Sequence, residues 1–188
     1  MPDHKPLRFS GGPNAALSTA INFVQTNIDR GVECPCCLQR AQRYRRSITS
    51  SMAAALIHIH NYFLSEEKKA KRTEATPPEW LHVPGYLSRV YGGVGTRGGD
   101  WAKLKYWQLL DPKEDELRAD GSHRVGLWKI TPNGRLFVRD ALKVPKYVYL
   151  YDGQINGTEG PQIGIKDALK TKFNYDQLMG FTEGPVAA

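Results

Sequence analysis

Residues 100–139 constrain the fold more than any other stretch. Asp100-Trp101-Ala102-Lys103-Leu104-Lys105-Tyr106-Trp107-Gln108-Leu109-Leu110 opens it. Leu104, Trp107 and Leu110 recur at i, i+3 and i+6, which predicts an amphipathic helix capped by Asp100. A polar, acidic connection over 112–123 follows, with Asp120-Gly121 as its turn signal. Val125, Leu127 and Lys129 alternate with Gly126, Trp128 and Ile130, which reads as a strand. Thr131-Pro132-Asn133-Gly134 then marks a helix start. Thr131 can accept a first-turn amide, and Pro132 loses nothing where its missing N–H would have had no helical partner. This helix is expected to run to about Leu142, with Leu136, Phe137 and Leu142 on its apolar face.

Upstream, Leu17, Ile21, Val24 and Ile28 form a helical stripe, with Asn14 as cap and Gly31 just past the end. Residues 1–13 are rich in Pro and Gly and read as a loose arm. A second helix is expected from about Ala41 to Leu64, burying Tyr44, Ile48, Met52, Ala55, Ile59 and Phe63. Ser65 to Pro78 is charged and ends in Pro77-Pro78, so it reads as a solvated linker or frayed end. Trp80–Val83 suits a short strand, and Pro84 a helix start. Gly92, Gly93, Gly95, Gly98 and Gly99 make a Gly-rich loop. Tyr147–Tyr151 is a strong strand run, Asp152-Gly153 a turn, and Ile163 and Ile165 a returning strand. Ile165–Leu169 opens a terminal helix. The expected class is α+β, mainly helical. Its expected parts are residues 1–40 (arm, helix and cysteine turn), 41–145 (central domain) and 146–188 (strand and helix extension).

The chain of 188 residues carries a net charge of +7, which suggests a polyanionic partner, most often nucleic acid. Its distribution is uneven. Residues 34–64 hold Arg40, Arg43, Arg45 and Arg46 and no acid, and residues 124–151 hold six cations against Asp140 alone. The longest apolar run, Met52 to Ile57, is far too short to span a bilayer, and the first residues lack a signal-peptide core. A cytoplasmic protein is the expectation. Nucleophile elbows, His-Glu-x-x-His and phosphate-binding loops are all missing from the sequence, so a non-enzymatic role is expected. Gly92–Gly99 lacks the preceding strand and following Lys-Ser/Thr of such a loop. Asp111, Glu114, Asp115 and Glu116 read as a solvated acidic run.

All three cysteines fall in Cys34-Pro35-Cys36-Cys37. The Cys34/Cys37 spacing lets two thiolates bind one tetrahedral zinc at a turn. No second pair exists. The leading expectation is a capped turn with buried or idle thiols; for a zinc site, His58, His60, His82, an acid, Cys36 or another chain would supply the remaining ligands. Redox use is disfavoured by the lack of a strand–motif–helix pattern.

Trp128-Lys129-Ile130-Thr131-Pro132-Asn133-Gly134-Arg135 resembles the end of the wing in bacterial winged-helix transcription regulators. The resemblance covers about residues 80–142 and implies a winged-helix core. It implies a recognition role for helix 100–110, with Lys103 and Lys105 at phosphates or base edges and Gln108 at an adenine edge. Arg97 in the Gly-rich loop would meet phosphate, and Arg118, His123 and Arg124 in the wing the DNA backbone or minor groove. Arg43, Arg45 and Arg46 add a basic-aromatic cluster with Arg40 and Tyr44. On the expected helix, Arg43 and Arg46 share one face and Arg40 and Tyr44 another. As a whole the chain is similar to small uncharacterised tailed-phage and prophage proteins. The elements carrying that likeness are Cys34–Cys37, Tyr44–Arg46, Lys103–Trp107, Thr131–Gly134, Val144–Val148 and Asp167–Met179. The leading expectation is a duplex-DNA-binding regulator or accessory factor. A second is a protein–protein module of host takeover or anti-defence, exposing Trp101, Tyr106 and strand 147–151 to a host protein. A third is a zinc-dependent enzyme.

Overall fold

The computed structural model describes residues 5–12, 14–92, 99–113 and 126–180. The chain divides into two compact units, residues 1–47 with 147–159, and residues 48–146 with 160–188. The class is mixed α/β, with three small sheets. Among the described residues, no helix is long and apolar enough to cross a membrane.

In the first unit, helix α1 spans Leu17–Asn27. It starts after Ala16 rather than Asn14, and it exposes Leu17 and Ile21. The expected apolar stripe is therefore only partly a core face. Gly31 stands at φ +81° at the end of the turn that follows the helix, its amide donating to the Ile28 carbonyl. The segment around Leu7 is not a loose arm. Leu7 bridges Val32, taking a bond from the Glu33 amide (2.9 Å) and giving one to the Gly31 carbonyl (3.0 Å). Strands β1 (Val32–Glu33) and β2 (Arg40–Ala41) pair antiparallel across the cysteine turn.

Strand β3 spans Tyr44–Ser47 and pairs antiparallel with Tyr147–Leu150 of strand β7, Val144–Tyr151. Residues 41–49 are thus not helical, contrary to the periodic reading. The spacing there fits a helix, but Tyr44 and its neighbours find ladder partners in β7, and tertiary pairing overrides local period. Asp152 and Gly153, both at positive φ (48° and 71°), turn the chain into strand β8, Gln154–Ile163. The sheet order is β3–β7–β8.

The second unit is organised by helix α2, Ser50–Thr73. Thr49 caps it by accepting the Met52 amide at 3.2 Å. Ala53, Ala54, Leu56, Ile57 and Ile59 are fully buried, so its first half is covered on all sides, as a central helix must be. The helix continues through 65–73, where a solvated linker or a frayed helix end was expected. Glu66 and Lys69 pair one turn apart, Ala70 is buried, and Glu74 at φ +54° closes the end.

Strand β4 (Leu81–His82) leads into helix α3 (Val83–Val90). The expected α-helix over 100–110 is instead a 3-10 helix, Gly99–Trp107, ending at Gln108 with φ +56°. Trp101, Leu104 and Trp107 are buried. A spacing of three places them on one edge only at three residues per turn. Leu109 and Leu110 lead into strand β5, Leu110–Pro112. Strand β6 (Leu127–Ile130) pairs antiparallel with both β4 and β5, giving the order β4–β6–β5.

Helix α4 spans Pro132–Val138, shorter than expected, with Phe137 buried and Leu136 exposed. Helices α5 (Ile165–Leu169) and α6 (Tyr175–Met179) follow β8, so Ile165 opens a helix and does not end a strand. Asn61 fixes α6 by donating to the Leu178 carbonyl at 2.8 Å.

Thr131 ties the α4 start to the preceding strand. Its hydroxyl accepts the Gly134 amide at 2.9 Å and donates to the Gln108 carbonyl at 2.7 Å. Thr131→Ala is expected to lower stability by about 2 kcal/mol, since it removes a cap and leaves a carbonyl short of a partner. Thr131→Ser should recover most of that. Urea midpoints read by tryptophan fluorescence check both, and equal midpoints for wild type and Thr131→Ala would refute the expectation.

Candidate nucleic-acid interface and cysteine turn

Alternation along β3 decides how the arginines are displayed. Arg43, immediately before the strand, and Arg45 point to one side, while Tyr44 and Arg46 point to the other. The helical pairing of Arg43 with Arg46, and of Arg40 with Tyr44, is therefore replaced. Arg43 makes a two-pronged bond to Asp29 (2.6 and 2.7 Å) and lies 4.5 Å from the Tyr149 ring centre. Arg45 stacks 3.6 Å from the centre of the Tyr147 ring and pairs with Glu159 at 3.4 Å. Tyr149 donates its hydroxyl to the same Glu159 carboxylate. On the opposite side, the Arg46 guanidinium lies 5.2 Å from the Tyr44 ring centre.

The electrostatics follow from these pairs. The Arg43 hydrogen bonds hold the Asp29 carboxyl below its usual range, and Asp29 in turn raises Arg43. The hydrogen bond to Glu159 raises the Tyr149 phenol. Two of the three predicted phosphate ligands here are thus already neutralised, by Asp29 and Glu159. A phosphate would have to displace those carboxylates. Flat guanidinium–tyrosine stacks are what this sheet face offers directly.

In the second unit, the 3-10 helix turns Trp101 inward, edge-on to Trp128 with ring centres 5.0 Å apart. Trp107 donates its indole N–H to the Pro145 carbonyl at 2.7 Å. The aromatic residues of this segment thus serve mainly as packing. Lys103 is half-buried and paired with Asp100. Lys105 and Gln108 are exposed, and Lys105 has no carboxylate partner among the described residues. Arg97, Arg118, His123 and Arg124 lie outside the described residues, as do Glu114, Asp115, Glu116 and the Asp120-Gly121 turn. Arg43, Arg45 and Arg46 belong to the first unit, and Lys103, Lys105 and Gln108 to the second.

Sequence reading missed a basic-aromatic group on the β4–β6–β5 sheet. Trp80 precedes β4, with Lys129 of β6 4.7 Å and Lys113 5.8 Å from its ring centre. Lys129 also pairs with Glu79 at 3.2 Å. The available signal was the alternation that sets Lys129 opposite Trp128 on the strand. What remained hidden was the pairing that brings Trp80 and Lys113 beside it.

The cysteine turn closes the β1–β2 hairpin. The Cys34 amide donates to Gln39 O and the Leu38 amide to Cys34 O, each at 2.8 Å, with Leu38 at φ +60°. Hydrogen bonding from Cys37 and Cys36, their backbone foremost, holds the Cys34 thiol below its ordinary value. Cys36 and Cys37 are exposed and Cys34 half-buried. The expected histidine partners belong to the second unit. His82 accepts the Gly85 amide, His58 sits edge-on to Tyr91, and His60 is buried. Among the described residues, no three His, Cys, Asp or Glu side chains gather into a metal-holding group.

No protein-family model, curated protein or solved structure matches the chain.

Proposed function

We propose that the protein binds nucleic acid, duplex DNA above all, through a winged-helix-like second unit, without catalysing a reaction. One observation carries this reading. The elements run helix, strand, helix, 3-10 helix, strand, strand, and the three strands assemble as β4–β6–β5. That is the order in which a winged helix places its recognition segment immediately before the two strands that flank the wing. On this reading Lys105 and Gln108 are the outward-facing contacts of the recognition segment, and Lys113 and Lys129 flank the base of the wing. The role fits a regulator or accessory factor of the tailed-phage setting that the sequence resemblance implies.

Binding by cations to phosphates releases counterions, so affinity falls steeply with salt. Anisotropy of a labelled duplex is expected to show linear log–log salt dependence. Lys105→Ala should weaken binding for all sequences alike and reduce the slope by about 0.9, one phosphate contact. Gln108→Ala should leave the slope unchanged and flatten sequence preference. Undetectable binding at low salt would remove the proposal, as would a slope that Lys105→Ala leaves untouched.

A further inference from the structure

The β1–β2 hairpin carries Cys34, Cys36 and Cys37 on one short turn that is already built. Backbone bonds on both sides of Cys34 close it, and Leu38 takes the left-handed conformation that lets the chain return into β2. Pro35 holds the first step of the turn in a narrow backbone range. Cys37 follows at the spacing that brings two sulfurs to one tetrahedral ion.

We propose that Cys34 and Cys37 form half of a tetrahedral thiolate site, which two copies of the chain complete around one zinc-type cation. A structural zinc site is closed by four ligands. The described residues of one chain bring no third non-cysteine ligand to this turn. The turn lies at the tip of a hairpin with Cys36 and Cys37 exposed, so a second, identical turn can approach it. A twofold axis through the cation then supplies four equivalent thiolates from one repeated element. Four thiolates around a divalent ion leave net negative charge. Cys36 is not a ligand in this arrangement. The site is independent of the nucleic-acid reading, since it lies in the first unit and needs no DNA.

Cobalt(II) titration of the reduced full-length protein tests the proposal. Expected are an intense near-ultraviolet thiolate-to-cobalt band and visible bands of tetrahedral cobalt, saturating at one ion per two chains. Zinc(II) should displace the cobalt. Light scattering should show the mass doubling with either metal and returning to its starting value with a chelator. Cys36→Ser should keep all of this. Cys34→Ser and Cys37→Ser should each lose the thiolate band and the doubling, with the circular dichroism spectrum unchanged. Cys37 is exposed, so Cys37→Ser decides the matter if Cys34→Ser folds poorly. The proposal is overturned by absence of the thiolate band. Saturation at one ion per chain with unchanged mass, or dependence on Cys36 but not Cys37, overturns it equally.

Discussion

Gly134→Ala is expected to destabilise the second unit by about 3 kcal/mol or more, one of the two largest effects anticipated for this protein. A β-carbon at Gly134 would stand 2.2 Å from the Leu109 carbonyl oxygen and 2.8 Å from Ile130 Cγ1. The first of these is backbone, at the entry to β5, and cannot swing away. Alanine is the better helix former by about 1 kcal/mol, and Gly134 sits within α4. The clash outweighs that gain, because relieving it means moving α4 off the β5–β6 pair. Gly12→Ala is the control. A β-carbon there meets nothing within 4 Å, so the change should stay within about 0.5 kcal/mol. All four tryptophans, Trp80, Trp101, Trp107 and Trp128, lie in the second unit, so their fluorescence in a urea titration reads it directly. Equal midpoints for Gly134→Ala and wild type would refute the expectation.

This junction was legible in the sequence because its chemistry is local. Thr131, Pro132 and Gly134 each act within one turn of themselves, and cap, helix start and close packing all follow from neighbouring residues. The Asp152–Gly153 turn and the strand before it were legible for the same reason. Residues 41–49 were not. Tyr44, Ile48, Met52 and Ala55 keep a helical spacing, but the strand that captures Tyr44–Ser47 lies at Tyr147–Leu150, far along the chain. Charge density made 65–73 look like a linker, although Glu66, Lys69 and the buried Ala70 follow helical geometry. Over a segment as short as 100–110, periods of 3.0 and 3.6 differ too little to separate a 3-10 from an α-helix.

The candidate site divides in the same way. A cluster of arginines beside tyrosines was visible as composition. That Arg43 is spent on Asp29, and Arg45 on Glu159, depends on contacts the sequence does not announce. The consequence is a shift of weight in the functional reading. The arginine face becomes a stacked, charge-balanced surface, and Lys105, exposed and without a carboxylate partner among the described residues, becomes the more direct route to phosphate. Lys103, paired with Asp100, moves to the background.

Acid is expected to weaken the second unit well above the pH at which ordinary carboxylates protonate, and His60 is the reason. This α2 side chain is 1% exposed, and its Nδ1 finds no hydrogen-bond partner among the described residues. Burial, with help from Arg135 and Arg139 and against Glu67, pushes its pKa from 6.5 down to about 4. Between those values the unfolded chain binds a proton that the folded chain refuses. Stability is therefore complete above about pH 6.5 and drains away as the pH falls toward 4. The gap corresponds to about 3 kcal/mol lost across the window. His58, also lowered by burial, acts in the same direction. His60→Met keeps an apolar side chain in the space and has no proton to accept. Its urea midpoints, followed by tryptophan fluorescence from pH 7 to pH 4, should decline only by the share that His58 contributes. A wild-type profile that is flat over this range would sink the argument. So would a His60→Met protein that loses as much stability as wild type, since the proton would then be entering elsewhere.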